Sequence, residues 1–316
     1  MSDFMGRLVK AGVRCVRTEE PLSRHSSWMI GGPADFFTEP GSVDEVRSCL
    51  RLAAAHGVPI LVIGHGTNLL FADEGLRGLV VKIGSKLADV HVQGAKVFAQ
   101  AGAWVPSVAV RALRSGLSGI EHTIGIPGTL GGLVVMNGGS KRQGIGSVVR
   151  RVTVVDPSGE TRVLRNEDCK FGYRSSILQE AGSVVCAVEM ELKPASVSQI
   201  RGECLSILRD RRRKFPRKDR SCGSVFMSTP ELFERFGPPG KLLEEAGLKG
   251  YTYGGAEVST QHANFVLNKG GATASDVLHV IHHMRSRVFE RFGAELCCEV
   301  KYVLPTGRIV QAHLVA

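Results

Sequence analysis

Two glycine-rich segments contain the residues whose types and spacing best suit cofactor binding. The first, residues 64–68, reads GHGTN and directly follows an apolar run over 58–63. The second, residues 116–139, reads GLSGIEHTIGIPGTLGGLVVMNGG and holds eight of the 38 glycines. Glycine permits positive φ and close approach of another molecule. Residues 123–139 contain no Asp, Glu, Lys or Arg, and the backbone N–H groups of such an apolar stretch need partners. A large flat cofactor with an anionic phosphate arm would supply those partners.

The same residues also fit a simpler interpretation. The irregular glycine spacing over 116–139 excludes a collagen repeat and a flexible linker, but a tight turn between two core strands remains open. The 64–68 segment lacks the spacing of a dinucleotide fingerprint, because Leu69 occupies the position of the third glycine, and the chain contains no Walker motif. Composition alone does not decide between a cradle and a turn.

No metal site is predicted. His279 and His283 lie one helical turn apart, but no third ligand suggests itself, so a solvated or packed helical face is favoured. The eight cysteines show no CxxC spacing, which is typical of reduced, mostly buried thiols. The chain also lacks GxSxG and HExxH motifs, which leaves serine-hydrolase and zinc-protease hypotheses without local support.

Composition and charge indicate a globular protein with anionic partners. The chain has 316 residues, an apolar fraction of 43% and a net charge of +10, which allows two or three domains and favours nucleic acid, nucleotides or phosphorylated small molecules as partners. Residues 209–220 contain eight basic and two acidic residues. A solvated helix end is the usual fate of such a run, and nucleic-acid binding would want more interleaved aromatic residues than Phe215.

Neither a membrane span nor a signal peptide is expected. The apolar run over 58–63 is far too short to cross a bilayer. The N-terminal residues MSDFMGRLVKAGVRCV contain no signal-peptide apolar core. We therefore expect a cytoplasmic protein.

The elements that must position these segments predict an α+β fold. Ser42 begins a helix with a capping box completed by Glu45, and Gly57 ends it. A buried strand over 59–63 then leads into the first glycine segment. Residues 149–155 and 160–164 predict a hairpin.

The second half of the chain predicts a separate unit that follows a basic helix over 195–220. A short helix is expected around 241–246 and a strand over 264–267. A long helix is predicted over Ala274–Phe292, with Thr273 as its N-cap. A strand over 299–304 is expected near the end of the chain.

Eight segments together resemble one family, and they span nearly the whole chain. In order they are WMIGGPADFF, VIGHGTNLLFADEG, GLSGIEHTIGIPGTLGGLVVMNGG, FGYRSSI, CGSVF, EAGLKG, STQHANFVLNKGGATASDV and ELCCEV. They resemble the UDP-N-acetylenolpyruvoylglucosamine reductases (the MurB family), flavoenzymes that make UDP-N-acetylmuramate for bacterial peptidoglycan. The short spacing between the Tyr-Arg-Ser and Gly-Ser motifs resembles the compact branch, which lacks an inserted loop carrying a substrate-contacting tyrosine.

The resemblance implies a fold and a domain order. The fold would be the FAD-binding fold of the vanillyl-alcohol-oxidase (PCMH) type in two subdomains, followed by a smaller α+β substrate-binding domain. The implied ranges are an FAD-binding region 1–195 (subdomains about 1–83 and 84–195), a basic connector 196–220, a substrate domain 221–300 and a tail 301–316 packing back on the first subdomain.

The resemblance also implies the cofactor and partners. FAD would be tightly bound, NADPH would reduce it, and a UDP-sugar would be the substrate, without nucleic acid, membrane or an obligatory protein partner, in the bacterial cytoplasm. The implied pyrophosphate loop is Gly64, His65, Gly66, Thr67 and Asn68. The implied flavin bed includes Gly125, Ile126, Pro127, Gly128, Thr129 and Gly132.

Three residues match the family's catalytic positions. Hydride would pass from FAD N5 to the β-carbon of the enolpyruvyl group, and Arg174 and Glu299 would stabilise the resulting enolate. Ser224 would protonate the α-carbon. Without the resemblance, Arg174 would be a surface arginine, Ser224 a turn serine and Glu299 a strand-edge carboxylate.

The chain also departs from the family pattern. His65 and Thr67 replace the usual glycine and serine of the pyrophosphate loop. The sequence Met-Ser-Thr-Pro over 227–230 lacks the basic residue that normally follows the Gly-Ser motif. Charge could instead come from the cluster over 211–218. The candidates for sugar-nucleotide contact are Tyr173, Lys241, Gln261 and Asn264.

Two competing hypotheses remain at this stage. Another flavoenzyme on the same fold, such as an alcohol or sugar oxidase, cannot be separated by fold alone. A nucleic-acid-binding protein that uses residues 209–220 would bind tightly in low salt and carry no flavin.

Overall fold

The computed structural model describes residues 2–180, 182–216 and 219–315. Arg217 and Lys218, which end the basic cluster considered above, lie outside the described residues, as do Met1, Ala181 and Ala316. The helices are α1 (Ser2–Lys10), α2 (Val43–His56), α3 (Val105–Arg114), α4 (Leu130–Val135), α5 (Val197–Lys214), α6 (Pro230–Phe236), α7 (Pro239–Glu245) and α8 (Ala274–Phe292).

The strands complete a mixed α+β chain. They are β1 (Arg17–Pro21), β2 (Pro33–Thr38), β3 (Ile60–Ile63), β4 (Leu69–Phe71), β5 (Leu76–Lys82), β6 (Val90–Gln93), β7 (Lys96–Gln100), β8 (Leu117–Ser118), β9 (Val149–Val155), β10 (Thr161–Arg165), β11 (Val184–Glu191), β12 (Lys193–Pro194), β13 (Thr252–Tyr253), β14 (Ala256–Val258), β15 (Val266–Asn268), β16 (Lys301–Val303) and β17 (Ile309–Gln311). The predicted α+β class is confirmed.

Helix α2 forms only part of the capping box that its sequence predicts. Ser42 caps the helix, since its hydroxyl accepts from the N–H of Glu45 at 3.2 Å, and Gly57 ends it in the left-handed conformation. The predicted capping box is only half formed. The Glu45 carboxylate accepts instead from the backbone N–H of Arg14 at 3.1 Å and from its guanidinium at 2.7 Å. A charged partner distant in sequence takes the acceptor that the capping box would use.

The chain forms two compact units, each with its own core. Unit 1 comprises Met1–Thr18, Phe36–His65 and Leu79–Arg211. Its largest sheet has the order β10-β9-β11-β7-β6, in which all neighbouring strands are antiparallel. Its core is built from buried apolar side chains of these strands and of α2–α5. A parallel pair, β3 and β5, runs in register from Ile60–Leu79 to Ile63–Lys82 and ends where the first glycine segment begins.

Unit 2 comprises Glu19–Asp35, Gly66–Gly78 and Arg212–Ala316. Helix α8 contributes Val277, Val280, Ile281, Met284 and Val288 to its core, as the predicted apolar face requires. Trp28 is fully buried in this core, and its indole N–H donates to the carbonyl of Val266 at 2.7 Å. Two three-stranded sheets have the orders β13-β14-β15 and β17-β16-β4.

The predicted functional ranges follow the chain, whereas the compact units interleave along it. The ranges 1–195, 196–220, 221–300 and 301–316 therefore remain a prediction about function. The last range begins with β16, which pairs in parallel with β4.

None of the helices within the described residues combines the length and the apolar character that crossing a membrane requires.

Candidate functional site

In unit 1, the first glycine segment meets the second at one close contact. Gly64 follows β3, and a Cβ added there would overlap the hydroxyl of Thr129. Thr129 caps α4 by accepting from the N–H of Gly132 at 3.4 Å, and it forms an isolated β-bridge with Trp104. The two segments that the sequence selected for phosphate binding thus touch each other in the folded unit.

The His65 side chain lies at this contact as well. Its ring centroid is 5.1 Å from that of Trp104. Burial lowers the pKa of His65, nearby Lys82 lowers it further, and Glu39 acts in the opposite direction. The neutral imidazole is therefore favoured at neutral pH.

Several backbone N–H groups in these segments have no partner within the described chain. None of the hydrogen bonds of the described residues is donated by the backbone N–H of Gly64, His65, Gly125, Gly128 or Thr129. Gly128 and Thr129 are nevertheless buried. Buried backbone donors are normally paired, and converging unpaired ones suit an anionic group. The segments therefore fit the phosphate arm of a dinucleotide cofactor.

The second glycine segment also has a packing role. The N–H groups of Leu130 and Gly131 donate to the carbonyls of Ala103 and Ala101 at 2.8 and 2.7 Å. Gly128 has φ +139°, a conformation that L side chains rarely adopt. The segment is thus a tight core turn, and this packing role does not exclude the predicted role in cofactor binding.

Arg174 is anchored to the end of the same segment in unit 1. Its guanidinium donates to the carbonyl of Gly139 at 3.0 Å and lies 5.4 Å from the ring centre of Tyr173. Arg174 has φ +53°, in a turn where Gly172 and Ser175 hydrogen bond each other. Because this backbone conformation is uncommon for a non-glycine residue, the turn aims the guanidinium in one defined direction.

In unit 2, Ser224 lies in a turn fixed on both sides. Gly223, with φ +81°, precedes it. Cys222 is buried, its thiol faces the carbonyls of Gly66 and Leu69 at 3.6 and 3.5 Å, and burial raises its pKa to about 12. On the other side, the N–H of Val225 donates to a backbone carbonyl at 2.9 Å. The serine hydroxyl is therefore carried by a well-ordered backbone.

Glu299 belongs to the same hydrogen-bonded cluster of unit 2. Its N–H donates to the carbonyl of Val225 at 2.8 Å, and its carbonyl accepts from the side-chain amide of Asn68 at 3.0 Å. The structure thereby joins the predicted pyrophosphate-loop asparagine, the backbone next to Ser224 and the predicted catalytic glutamate. The backbone N–H groups of Gly66 and Asn68 donate to no other part of the described chain.

The candidates for substrate contact have different surroundings. Asn264 is buried and uses both ends of its amide on Phe226, accepting from its N–H at 2.9 Å and donating to its carbonyl at 3.0 Å. Gln261 is exposed and donates to the carbonyl of Arg213 at 3.2 Å. Lys241 is exposed and pairs with Glu245 at 3.6 Å. Their contact with a sugar nucleotide remains a prediction.

The two histidines of α8 are packed against aromatic rings. His279 stacks on Tyr253 and His283 on Tyr251, with ring centroids 3.5 and 4.0 Å apart. Within the part of the chain that the structure describes, no group of three or more His, Cys, Asp or Glu residues is arranged to hold a metal ion.

Comparison with known proteins identifies the family. Residues 34–165 match the model of an FAD binding domain, and residues 215–303 match that of the UDP-N-acetylenolpyruvoylglucosamine reductase C-terminal domain. The chain is 43% identical to UDP-N-acetylenolpyruvoylglucosamine reductase 1 of Corynebacterium glutamicum over 95% of this chain and 89% of the relative. The chain belongs to the UDP-N-acetylenolpyruvoylglucosamine reductase family.

Other members of the family agree. The reductase of Caldanaerobacter subterraneus is 42% identical over 90% of this chain and 92% of its own length. The crystal structure of the MurB reductase from Thermus caldophilus is similar with a TM-score of 0.77 and 30% identity, covering 91% of this chain and 99% of that one. The family resemblance and the FAD-binding fold expected from the sequence are confirmed.

Two residues that support the glycine segments were not among the predicted site residues. Trp104 forms a β-bridge with Thr129, and Asn137 donates to the carbonyl of Gly172 at 2.7 Å beside the Arg174 turn. Trp104 directly precedes the Val-Pro pair that begins α3, and this position is the sequence feature that could have identified it. Nothing in the local sequence distinguishes Asn137 from a turn asparagine.

Proposed function

We propose that this protein is an NADPH-dependent flavoenzyme that reduces the enolpyruvyl group of UDP-N-acetylglucosamine enolpyruvate to give UDP-N-acetylmuramate. Family membership over 95% of the chain carries the proposal. The unpaired backbone donors around Gly64 and Gly128 support it independently, because they suit an anionic cofactor.

The residues present fit FAD. We propose that Gly64, His65, Gly66, Thr67 and Asn68 would hold the pyrophosphate through backbone N–H groups, and that Gly125, Ile126, Pro127, Gly128, Thr129 and Gly132 would lie against the flavin. When bound, FAD supplies the hydride chemistry by accepting hydride from NADPH and passing it to the substrate. The protein supplies the binding, orientation and charge around that chemistry.

Arg174 is proposed to stabilise negative charge on the substrate carboxylate. A guanidinium remains protonated at every physiological pH and can engage a carboxylate with two parallel hydrogen bonds. The bond to the Gly139 carbonyl and the left-handed turn restrict its orientation. Such preorganised positive charge favours the enolate that forms when the β-carbon is reduced.

Ser224 and Glu299 are proposed to control protons in the same reaction. Ser224 would donate its hydroxyl proton to the α-carbon, which requires an orienting environment because an alcohol is a weak acid. The backbone bonds around Val225 provide that orientation. Glu299 would stabilise the enolate by donating a hydrogen bond, which requires its protonated carboxyl group, and its backbone is fixed by Val225 and Asn68.

The proposed setting follows from the same chemistry. We propose that residues 1–195 bind FAD, that residues 221–300 bind the UDP-sugar, and that no protein partner is obligatory. The net charge of +10 suits NADPH and a UDP-sugar, both anionic. All eight cysteines carry free thiols, which supports a reducing compartment such as the bacterial cytoplasm.

A flavin titration tests the proposed function. We expect the purified protein to be yellow, its flavin absorbance to bleach under NADPH without oxygen, and the absorbance to return when the enolpyruvyl UDP-sugar is added. A colourless protein that takes up no FAD contradicts any flavoenzyme function. Recovery with oxygen but never with the sugar nucleotide would favour the oxidase alternative.

A substitution at Gly64 tests the proposed FAD-binding residues directly. Gly64→Ala places a methyl group against Thr129, and overpacking of this kind costs about 1–3 kcal/mol. We expect about ten- to hundredfold weaker FAD binding, measured by flavin fluorescence quenching. Gly202→Ala is the matched control, because Gly202 is an exposed helical glycine with nothing within 4 Å of an added Cβ. Equal FAD affinity of the two variants would contradict the proposal that Gly64 lies in the cofactor site.

A further inference from the structure

The end of the described chain in unit 2 runs along the strand that follows Glu299. Strand β17 pairs antiparallel with β16, from Lys301–Gln311 to Val303–Ile309. Beyond β17, the N–H of Ala312 donates to the carbonyl of Val300 at 3.1 Å. We call residues 309–315 the C-terminal strap. The strap leaves the sheet after Gln311 and forms a short 3-10 helix over Ala312–Leu314 beside the residues that flank Glu299.

His313 makes the bond of the strap closest to Glu299. Its Nδ1 accepts the backbone N–H of Cys298, the residue directly before Glu299, at 3.0 Å. A backbone N–H can only donate, so Nδ1 must be unprotonated for this bond to exist. The bond therefore requires the neutral imidazole.

Helix α8 holds the strap from the other side. Arg285 donates to the carbonyl of Leu296 at 2.8 Å and to the carbonyl of His313 at 3.4 Å. The Nε2 of His282 lies 2.7 Å from the carbonyl of Val315. The strap is thus fixed to the helix at both His313 and Val315, which leaves the imidazole a defined position over Cys298.

The backbone of Cys298 and Glu299 is held at three of its four polar groups. The N–H of Cys298 is bound by His313, the N–H of Glu299 by Val225, and the carbonyl of Glu299 by Asn68. The first of these bonds involves a side chain that titrates. Losing it would leave the backbone at Cys298 held, within the described chain, by its β-bridge to Phe226 alone, in which the N–H of Met227 donates to the carbonyl of Cys297 at 2.9 Å.

We propose that His313 is a positioning residue for Glu299: its neutral imidazole holds the backbone of Cys298 and so fixes the direction of the Glu299 side chain, and protonation of the imidazole releases that hold. The proposal rests on the proposed function, in which Glu299 acts on the enolate. It concerns a residue that does not itself touch substrate or cofactor.

The charges around His313 all favour its neutral form. Arg285 and His282 face it from α8, and Lys301 faces it from β16. Burial lowers the pKa of His313 below its usual value of 6.5, and Arg285, His282 and Lys301 lower it further. The hydrogen bond from the N–H of Cys298 to His313 is therefore fully formed at neutral pH, and it is lost as the pH falls through this depressed pKa.

Two substitutions separate the role of His313 as a hydrogen-bond acceptor from the titration of its imidazole. His313→Asn places an amide oxygen near the position of Nδ1 and does not titrate, whereas His313→Phe keeps a ring without an acceptor. We expect NADPH to reduce the flavin of both variants at the wild-type rate. With reduced enzyme and the enolpyruvyl UDP-sugar, His313→Phe should reoxidise about five- to tenfold more slowly, and His313→Asn should stay near wild type.

The pH profile of this second half-reaction is the deciding readout. The wild type should lose rate as the pH falls through the depressed pKa of His313, and His313→Asn should lack that acid limb. His91→Asn, which removes an exposed histidine from β6 of unit 1, should keep the wild-type profile. Hydrogen exchange of the peptide spanning Cys298–Val300 should be faster in His313→Phe than in His313→Asn at the same pH.

Each outcome decides one proposal. An active wild type whose acid limb is unchanged in His313→Asn overturns the role of His313 and leaves the proposed function standing, and this comparison holds even if His313→Phe is unstable. A wild type that never passes hydride to the sugar nucleotide overturns the proposed function, and with it the catalytic part of this proposal.

Discussion

At the scale of single residues, the catalytic assignments depend on three side chains carried by very different backbones. Arg174 itself has positive φ, Ser224 follows a glycine with positive φ, and Glu299 lies in a bend where its N–H donates to the carbonyl of Val225. Only Arg174 combines a left-handed backbone with a non-glycine side chain, which costs free energy, whereas Gly223 adopts its positive φ without that penalty. We therefore expect Arg174 to be more sensitive than Ser224 or Glu299 to changes in its immediate neighbours.

Removing the Ser224 hydroxyl should separate the two half-reactions. In Ser224→Ala we expect NADPH to reduce the flavin at nearly the wild-type rate, because that step needs no proton from Ser224. Reduction of the enolpyruvyl UDP-sugar should slow by about a hundredfold, which is typical for loss of a positioned proton donor. Stopped-flow absorbance of the flavin measures both steps.

The control for this variant is Ser206→Ala. Ser206 lies on the exposed face of α5 and should leave both half-reactions unchanged. Unchanged turnover of the sugar nucleotide by Ser224→Ala would exclude Ser224 as the proton donor.

Asn264 shows what the sequence could and could not reveal about single residues. Its motif singled it out, but as a substrate contact. In the folded chain both ends of its amide bond the backbone of Phe226, two residues after Ser224. The partner lies 38 positions away, and such a pairing depends on tertiary packing, which local sequence does not encode. The motif identified the residue, and only the structure identified its bonds.

At the scale of elements, helix α8 was predicted with its observed bounds because its signals are local. The apolar face and the N-cap are both legible in the sequence, and Thr273 and Asp276 form a complete capping box. The sequence did not reveal that a residue distant along the chain also caps this helix. The Asp73 carboxylate accepts from the N–H groups of Ala274 and Ser275 at 2.8 and 3.2 Å. These are donors that the first turn of a helix leaves without partners.

We expect Asp73 to matter for the stability of α8. Asp73→Ala should lower the free energy of unfolding by about 1–2 kcal/mol, since it removes two capping bonds and a negative charge at a helix N-terminus. Urea denaturation followed by circular dichroism measures the change. Asp44→Ala is the control, because Asp44 is an exposed first-turn acid of α2 paired with Arg47 on the same helix. Equal effects of the two substitutions would contradict the capping role.

Other elements escaped the sequence for physical reasons. Strand β17 has only three residues and follows a turn, so too little pattern exists to recognise. The hairpin of β9 and β10 was predicted. The register irregularities between β9 and β11, at Val185/Ala187 and Glu189/Met190, depend on how side chains pack across the sheet. Local alternation predicts that a strand exists but not where its register shifts.

At the scale of the whole molecule, charge is the property most directly readable from the sequence. The net charge of +10 predicted anionic partners, and the FAD-binding and reductase family matches agree with that class of ligand. The competing nucleic-acid hypothesis relied on residues 209–220. The first half of that run, residues 209–214, belongs to α5. Phe215 packs against His262 and Phe265, with ring centroids 5.4 and 5.2 Å away. A phenylalanine packed in this way offers a poor platform for a stacked base.

The positive field should make NADPH capture depend on salt. Raising the ionic strength from about 0.01 to about 0.15 M shortens the Debye length from about 30 to about 8 Å. We expect the KM for NADPH to rise severalfold over that range and kcat to stay constant, because screening weakens encounter rather than chemistry. Steady-state kinetics at fixed pH checks this. A KM that is independent of salt would mean that the net charge plays no part in binding.

The interleaving of unit 2 has a consequence for how the chain acquires its structure during synthesis. Unit 1 contains no residue beyond Arg211, so its contacts can all form once that residue has left the ribosome. Unit 2 includes residues from Glu19 onward, yet β4 finds its parallel partner only when Lys301–Val303 has been made. Until then, the apolar side chains of Trp28 and Leu70 lack most of their core. Such late, long-range pairing slows folding and exposes apolar surface, which makes the nascent chain a natural client for chaperones.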